Sequence, residues 1–372
     1  MERIILFKNY KGKYTIKEYM GEKYIVSNEK YKSDADDKLS KISITFSTNA
    51  SSLLLQLANC KNDQARILEF CNTYGLPASS ALNRDMNNGD VMFLDIGYDV
   101  DENSIQNHDN MRLSEFIDIS NFASDLLHLQ SICFKKPGKR ANKYKSGTEP
   151  QKEYQSLFSS IYNLLLFLYI NLGLCSLEPV YFNSDVYLLQ NDIWEYIDKP
   201  KEKMDTEFYL GLFASIKDKL KDKNIIMLIN TLIDIMNENK CDWNTVIDFS
   251  ECKIISSSLK ISDSHWNTME ECGKSLFTQI VEDFVNCSTI KLAYNDEKQK
   301  YYVRLSSTHL LFASIVELYT MITSGIEIHR CANLHCGTFF LPSRSTQIYC
   351  SEYCRKTVQM KRRNGKKTSV EN

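Results

Sequence analysis

Four cysteines near the C-terminal end of the sequence have the spacing of a metal site. They follow the pattern C-x4-C-x13-C-x3-C and are Cys331, Cys336, Cys350 and Cys354. Four thiolates complete a tetrahedral zinc shell with Zn–S bonds of about 2.3 Å, and two closely spaced pairs are a common way for a chain to supply them. The sequence therefore predicts one structural Zn²⁺ ion. The alternatives are four unrelated buried thiols, or a shell in which His329 or His335 replaces one cysteine.

The residues around these cysteines predict a knuckle, a hairpin and a helix. Gly337 follows the second cysteine, where the absence of a Cβ lets the backbone turn tightly and point amide groups at sulfur. The segment 338–341 is typical of a strand, and 342–346 is typical of a turn. Cys350 and Cys354 are one helical turn apart, so both can face the same ion from the first turn of a helix. This order of elements is the layout of a small treble-clef zinc finger.

The chain after the last cysteine is strongly basic. Residues 355–367 hold seven Lys and Arg and no acidic residue. Residues 331–372 carry +6, which leaves −8 for residues 1–330 out of a total of −2. Such asymmetry is typical of a protein that binds a polyanion. We expect phosphate contacts, to DNA before RNA, from five residues of the predicted helix: Arg355, Lys356, Lys361, Arg362 and Arg363. The alternative is a solvated helix that aids solubility or binds a protein.

The finger region resembles the CGNR-type zinc finger at the C-terminus of bacterial proteins that are regarded as stress-linked transcription regulators. The resemblance covers residues 330–363 and depends on Arg330-Cys331-Ala332-Asn333, Cys336-Gly337, Phe340, Tyr349-Cys350-Ser351 and Cys354-Arg355. The tetrapeptide Cys-Gly-Asn-Arg of that family is Cys354-Arg355-Lys356-Thr357 in this chain. The resemblance implies DNA binding, transcription regulation and a preceding α-rich domain that senses a small-molecule effector. In the body, Phe70 and Tyr74-Gly75-Leu76 resemble the sequences of related bacterial proteins that carry such a finger.

The rest of the chain predicts an α+β fold with a mostly α-helical body. Short strands are expected at 3–8, 13–18, 23–27 and 42–47, and a late β-hairpin at 290–306. Helices are expected after Asp63, from Ser114 to about 132, within 154–177, 206–220 and 225–239, and from 308 to 323. A polar loop is expected at 134–153, with six basic residues before its first acidic residue, Glu149. We divide the chain into a strand region (1–60), a helical body (61–325) and a zinc finger with a basic helix (326–372).

The sequence also indicates the compartment. The apolar run at residues 4–7 is too short for a signal-peptide core, so we expect a cytoplasmic protein with reduced thiols. Eight further cysteines have no short spacing between them and are expected to be buried small hydrophobes: Cys60, Cys71, Cys133, Cys175, Cys241, Cys252, Cys272 and Cys287. The uncharged stretch 154–177 is long enough to cross a bilayer, but its recurring Ser and Asn residues favour a buried core helix. We therefore expect no membrane association.

No enzyme motif is found in the sequence. It has no P-loop, G-x-G-x-x-G, H-E-x-x-H or G-x-S-x-G pattern. An acidic cluster at 95–102 could bind Mg²⁺, but it lacks the spacing of an EF-hand or nuclease, and a solvated loop is favoured. A shell of four cysteines leaves no position for a catalytic water. We expect the protein not to be an enzyme.

Two features bear on partners. A single small finger buries only about 600–1,000 Å² on DNA, so a regulator of this kind is expected to act as a homodimer or to use other surfaces. The alternative function is an interaction or adaptor protein in which the zinc is purely structural. Four aromatic residues of the finger could then form a binding patch, although a small core is favoured: Phe339, Phe340, Tyr349 and Tyr353.

Overall fold

The structure is a computed structural model of the 372-residue chain. It describes residues 3–9, 13–19, 21–30, 40–45, 52–77, 108–134, 149–168, 220, 222–239, 247–248, 253–254, 259–286, 289–295, 300–307, 310–333 and 336–368. Several predicted features lie outside the described residues: the acidic cluster at 95–102, the basic loop at 135–148, the helical segment at 206–219, His335, Cys175, Cys241, Cys252 and Cys287.

The N-terminal strands and the late hairpin contribute to two sheets. The strands are β1 (Arg3–Asn9), β2 (Tyr14–Tyr19), β3 (Glu22–Lys30), β4 (Ser40–Thr45), β5 (His108–Arg112), β6 (Ile247–Asp248), β7 (Lys253–Ile254), β8 (Thr289–Asn295) and β9 (Lys300–Ser307). One antiparallel sheet has the order β2-β3-β5, and a larger sheet has the order β4-β1-β9-β8. The four predicted N-terminal strands and the hairpin are thus confirmed. The parallel pairing of β1 with β9 was not predicted, and it joins the strand region to the body.

Seven helices form most of the described body. They are α1 (Leu53–Cys60), α2 (Gln64–Tyr74), α3 (Leu113–Cys133), α4 (Glu149–Leu166), α5 (Lys223–Glu238), α6 (Asp263–Asn286) and α7 (Leu310–Thr323). The Asp63 carboxylate caps α2 by accepting hydrogen bonds from the amides of Ala65 and Arg66 at 3.1 and 3.3 Å, as the sequence predicts. The helices expected after Asp63, from Ser114, at 225–239 and at 308–323 are confirmed, whereas α1 and α6 were not predicted.

Helix α3 occupies the centre of the body and packs against α1, α4 and α6. Its Phe122 ring stacks on Phe167 and Phe284, with centroid distances of 4.3 and 5.6 Å. Helix α6 approaches α3 closely at Gly273, where a Cβ would lie 3.0 Å from Leu129 Cδ1 and 3.2 Å from Cys133 Sγ. A larger side chain there would separate the two helices.

Helix α4 is a core helix over the part that the structure describes. Its apolar side chains are buried against α3, among them Leu157, Phe158, Ile161 and Leu165. No helix in the described part of the chain is both long and apolar enough to cross a bilayer. The helix begins at Glu149, so the prediction of a loop continuing to residue 153 is wrong. Pro150 occupies the first turn of α4, where its missing N–H costs no helical hydrogen bond.

The C-terminal segment adds a strand pair and a helix. Strands β10 (His329–Arg330) and β11 (Phe339–Phe340) pair antiparallel, and helix α8 (Glu352–Thr368) follows. The described chain is therefore mostly helical, with short N-terminal strands and a C-terminal strand pair. The predicted strand at 338–341 and the predicted helix at the second cysteine pair are confirmed.

Candidate metal centre

The four predicted cysteines come together in space. Their sulfur atoms all lie within 4.8 Å of one another. Cys350 Sγ lies 3.6 Å from both Cys336 Sγ and Cys354 Sγ. A tetrahedron with metal–sulfur bonds of about 2.3 Å has edges of about 3.8 Å, whereas a disulfide holds its sulfurs about 2.05 Å apart. The spacing therefore fits four thiolates around one metal ion, and all four cysteines are unbridged.

A tight turn places the first two cysteines. The Asn333 carbonyl accepts hydrogen bonds from the amides of Cys336 and Gly337 at 2.8 and 3.2 Å. Gly337 has a φ of +58°, a left-handed conformation that glycine adopts without the cost of a Cβ clash. The Cys331 amide donates to the Thr338 carbonyl at 2.9 Å. This turn is the predicted knuckle, and it brings Cys336 back beside Cys331.

The second pair lies at the start of α8. The Ser351 hydroxyl accepts a hydrogen bond from the Cys354 amide at 3.3 Å, and the Ser351 carbonyl accepts one from the Arg355 amide at 3.2 Å. Ser351 therefore acts as the N-cap of α8. The cap starts the helix so that Cys354, in its first turn, is buried beside the other three sulfurs.

Polar groups of the backbone and side chains surround the sulfurs. The Cys350 amide donates to Cys331 Sγ at 3.5 Å, and the Thr338 hydroxyl lies 3.0 Å from Cys336 Sγ. Burial raises the pKa of the Cys336 thiol, but its hydrogen bonds to Thr338 and to the neighbouring thiols outweigh this effect and lower the pKa to about 7. Burial and hydrogen bonds to its neighbours raise the pKa of Cys350. Metal binding requires deprotonated thiols, so it would release protons.

The strand pair connects the site to the body. The Asn59 side chain donates to the Phe339 carbonyl at 3.0 Å and accepts from the Phe339 amide at 3.0 Å. It thus pairs with β11 as a neighbouring strand would. The Phe339 ring is 2% exposed and belongs to the main apolar core. The Lys61 ammonium lies 3.5 Å from the Cys336 carbonyl oxygen.

A polar cluster lies beneath β10. The Asp125 carboxylate accepts hydrogen bonds from Ser160 at 2.8 Å and from Asn163 at 3.1 Å. Desolvation raises the pKa of Asp125 to about 7, although these hydrogen bonds and the attraction of Arg330 act in the opposite direction. The Arg330 guanidinium also lies 5.8 Å from the centroid of the Phe339 ring. Arg330 therefore joins the metal-binding segment electrostatically to α3.

The structure distinguishes the predicted neighbours of the site. His329 is not in the sulfur cluster: its Nδ1 lies 2.8 Å from the Gln347 carbonyl oxygen, and its Nε2 lies 3.4 Å from Glu327 Oε2. Within the described residues, the potential ligands are the four cysteines alone.

The four aromatic residues of the finger differ in burial. Phe339 is a core residue, as the sequence analysis favoured, and Phe340 and Tyr349 are half-buried. Tyr353 is 78% exposed, so the prediction that it belongs to the small core is wrong. Its position one residue before Cys354 turns the ring away from the sulfurs.

Helix α8 contains the five residues that the sequence predicts to contact phosphate. Arg355 and Lys356 are exposed, and Arg355 forms a salt bridge with Glu352. The backbone of Lys361, Arg362 and Arg363 lies in α8.

The contacts of Asn59 and Lys61 with the finger were missed by sequence reasoning. No local pattern could have revealed them, because their partners lie 280 and 275 residues away along the chain.

Comparisons of the chain with protein-family models, with curated proteins and with solved structures gave no match. The chemistry of the site and the charge of α8 are therefore the basis on which a function can be inferred.

Proposed function

We propose that this protein is a zinc-finger DNA-binding protein that acts as a bacterial transcription regulator. The observation that carries the proposal is the basic helix α8, which begins at a cluster of four thiols and differs in charge from the rest of the chain. Residues 331–372 carry +6 and residues 1–330 carry −8. The acidic body would be repelled by a nucleic acid, so a bound polyanion would contact the finger.

Zinc is the metal that we propose for the site. Four thiolates at tetrahedral spacing favour Zn²⁺, and a shell closed by four protein ligands is typical of a structural rather than a catalytic ion. The order of knuckle, strand pair and helix supports a treble-clef finger, and the resemblance over residues 330–363 supports the CGNR type. Because a closed shell leaves no position for a reacting water, the proposed role is not enzymatic.

The proposed contacts follow from the geometry of a helix. Positions 355 and 362 are seven residues apart, so they lie two turns and about 10.5 Å apart on one side of α8. Positions 356 and 363 repeat this relation on the adjacent side. Two rows of cations at this spacing can follow a phosphate backbone, and such contacts fix position rather than read sequence. The proposed contact residues are Arg355, Lys356, Lys361, Arg362 and Arg363.

The helical body has two proposed roles, in DNA binding and in sensing an effector. A finger of this size selects sequence weakly by itself, so we propose that the protein binds DNA as a homodimer or with help from the body. By resemblance to the CGNR-type regulators, the helical body would sense a small-molecule effector. A regulator of this type would act in the cytoplasm, where bacterial DNA is located.

A second function has one observation in its favour. The finger exposes Ile348, Tyr353 and Met360, which are large apolar side chains. Exposed apolar residues rimmed by polar ones are typical of protein-binding surfaces. An adaptor protein with a purely structural zinc ion is therefore the alternative.

Fluorescence anisotropy with the zinc-loaded, full-length protein tests the proposal. We expect binding of a labelled duplex with a slope of log K against log salt of about −3 to −5, since each neutralised phosphate contributes about −0.9. Replacing the five contact residues by Gln should remove most of the affinity and the slope. A matched variant neutralises five exposed lysines of the body and should bind normally: Lys13, Lys17, Lys23, Lys260 and Lys274. No binding at low salt, or equal binding by both variants, would refute the proposal.

A further inference from the structure

The finger exposes apolar side chains on the same helix as its basic residues. Tyr353 is 78% exposed, Met360 is 60% exposed, and Ile348, just before the second cysteine pair, is 52% exposed. Tyr353 has the highest exposure among the large apolar side chains in the described part of the chain. Exposed apolar side chains that lie together and are rimmed by polar residues are typical of a binding surface.

Tyr353 and Met360 share one face of α8. They are seven residues apart, which places them within about 20° of each other around the helix axis. Lys356 is exposed on the adjacent side, one turn after Tyr353. The face therefore offers an aromatic ring, a thioether and a cation in a row along about 10 Å of helix.

The backbone that carries Tyr353 is held from both sides. Cys350 precedes it by three residues, Cys354 follows it directly, and both belong to the sulfur cluster. Its carbonyl accepts a hydrogen bond from the Thr357 hydroxyl at 2.9 Å within the helix. A ring on a backbone held in this way loses little conformational freedom when it binds a flat partner, which favours affinity.

The geometry points to a nucleic acid with unpaired bases as the ligand of this face. We propose that a base of a single strand stacks on the Tyr353 ring, that Met360 packs against the next base, and that Lys356 contacts the phosphate between them. Base faces inside a duplex are already stacked on their neighbours, so only unpaired bases can use the ring. Aromatic side chains beside a basic surface are the usual means of binding single strands without strong sequence preference. The charge of +6 on residues 331–372 favours this polyanion over an acidic or neutral peptide as the partner of the exposed face.

This inference rests on the proposed nucleic-acid binding and specifies the class of ligand. Single-stranded DNA and single-stranded RNA offer the same base faces and phosphates, and they differ at the 2′-hydroxyl. A test must therefore include both strands and a duplex.

The test is anisotropy of the full-length, zinc-loaded protein with an oligothymidylate of about 12 nucleotides, within the ~4–16-nucleotide range of single-strand sites. The variants are Tyr353→Ala and Tyr353→Phe, each checked for unchanged zinc content. We expect Tyr353→Ala to weaken single-strand binding roughly 5- to 100-fold, with the salt slope unchanged, because one base–aromatic stack is lost. Tyr353→Phe keeps the ring and should bind as the wild type does.

A matched abasic strand makes the test specific. The wild type should bind the abasic strand at least as weakly as Tyr353→Ala binds oligothymidylate, because the abasic strand also loses the contact with Met360. Duplex binding should not change in either variant. Oligouridylate in place of oligothymidylate shows whether RNA or DNA is the preferred source of the unpaired bases.

The outcomes separate the two proposals. If the wild type binds single strands and Tyr353→Ala binds them equally well, or if the abasic strand binds as tightly as the normal one, base stacking is refuted and nucleic-acid binding stands. If the wild type binds no strand and no duplex, both proposals are refuted, and the exposed face is assigned to a protein partner.

Discussion

The central helix α3 of the body and the terminal helix α8 of the finger are held in place by different forces. Along α3, twelve side chains are buried. Nine of them are aliphatic or phenylalanine side chains: Leu113, Phe116, Ile119, Phe122, Ala123, Leu126, Leu127, Leu129 and Ile132. Between residues 352 and 360 of α8, Cys354 is the one buried residue. Apolar burial therefore accounts for the position of α3. It does not account for the position of residues 352–360 of α8, whose one buried side chain belongs to the sulfur cluster.

This difference explains how one chain can combine an acidic, densely packed body with a basic, exposed helix. An isolated helix of this length with many like charges is marginal in water. A metal bound by Cys350 and Cys354 would fix its first turn without covering its surface. The surface would remain available for a ligand.

Loss of the metal should have the largest effect, and it should unfold the finger while the body stays folded. We expect Cys350→Ser to lose bound zinc and to unfold the segment from about 331 onward, because structural zinc contributes about 10–16 kcal/mol of apparent binding energy in small fingers. The body should keep its cooperative thermal transition. Metal analysis together with hydrogen exchange of α8 measures both effects.

A second cysteine serves as the control. Cys272→Ala removes a buried thiol of α6 and should leave the zinc content at one ion per chain. Stoichiometric zinc and an unchanged α8 in Cys350→Ser would show that the sulfur cluster is not the metal site.

Shortening a core side chain of the body should destabilise the body and leave the zinc site intact. We expect Phe122→Ala to destabilise the body by about 3–5 kcal/mol, because it opens a cavity between the rings of Phe167 and Phe284. Zinc content at low temperature should not change. Denaturant unfolding measures the effect, and Tyr319→Ala, at an exposed position of α7, should have little effect. Loss of zinc in Phe122→Ala would show that the two regions are not held independently.

The body should also respond to pH through Glu317. This carboxyl accepts hydrogen bonds from the Ser52 hydroxyl at 2.8 Å and from the Leu54 amide at 3.2 Å. Burial raises its pKa from 4.5 to about 7, against the effect of these hydrogen bonds. Between about pH 4.5 and 7 the native state binds a proton that the unfolded state has lost, so the free energy of unfolding decreases as the pH rises.

The substitution Glu317→Gln removes this dependence. We expect it to stabilise the protein by on the order of 2–3 kcal/mol above pH 7 and by little at pH 4.5, as measured by denaturant unfolding across pH. Glu18→Gln, at an exposed position of β2, is the matched control for the loss of a carboxylate. An equal difference between wild type and Glu317→Gln at every pH would contradict the burial effect.

The smallest expected effect is at the junction of the two regions. Asn59→Ala leaves the amide and carbonyl of Phe339 without their side-chain partner, which should cost about 1–2 kcal/mol. The loss should appear as faster hydrogen exchange in β10 and β11, with zinc content unchanged. Asn239→Ala, which removes hydrogen bonds to Lys260 within the body, should leave the exchange of β10 and β11 unaltered.

Local signals made much of the finger predictable. The cysteine spacing, the glycine after Cys336 and the capping serine before α8 each act within a few residues, so the sequence contains the whole knuckle, hairpin and helix. The Asp63 cap of α2 and the alternating strands of the late hairpin were readable for the same reason. The exposure of Tyr353 was also predictable, because Tyr353 lies one residue before Cys354 and so on a different side of the helix; its aromatic type alone had favoured a core position.

Other features depend on contacts that are distant along the chain. The pairing of β1 with β9 joins residues such as Ile5 and Leu305, and no local pattern specifies it. Helix α6 is a different case, since its buried residues from Trp266 to Phe284 recur every three or four positions. That signal was available in the sequence and was missed among the charged residues around it.

X-ray absorption at the zinc edge of the purified, full-length protein tests the central claim most directly. We expect one zinc ion per chain with four sulfur neighbours at about 2.3 Å and no nitrogen or oxygen in the first shell. A first shell containing histidine nitrogen at about 2.0 Å, or a protein without stoichiometric zinc that still keeps α8 folded, would contradict it.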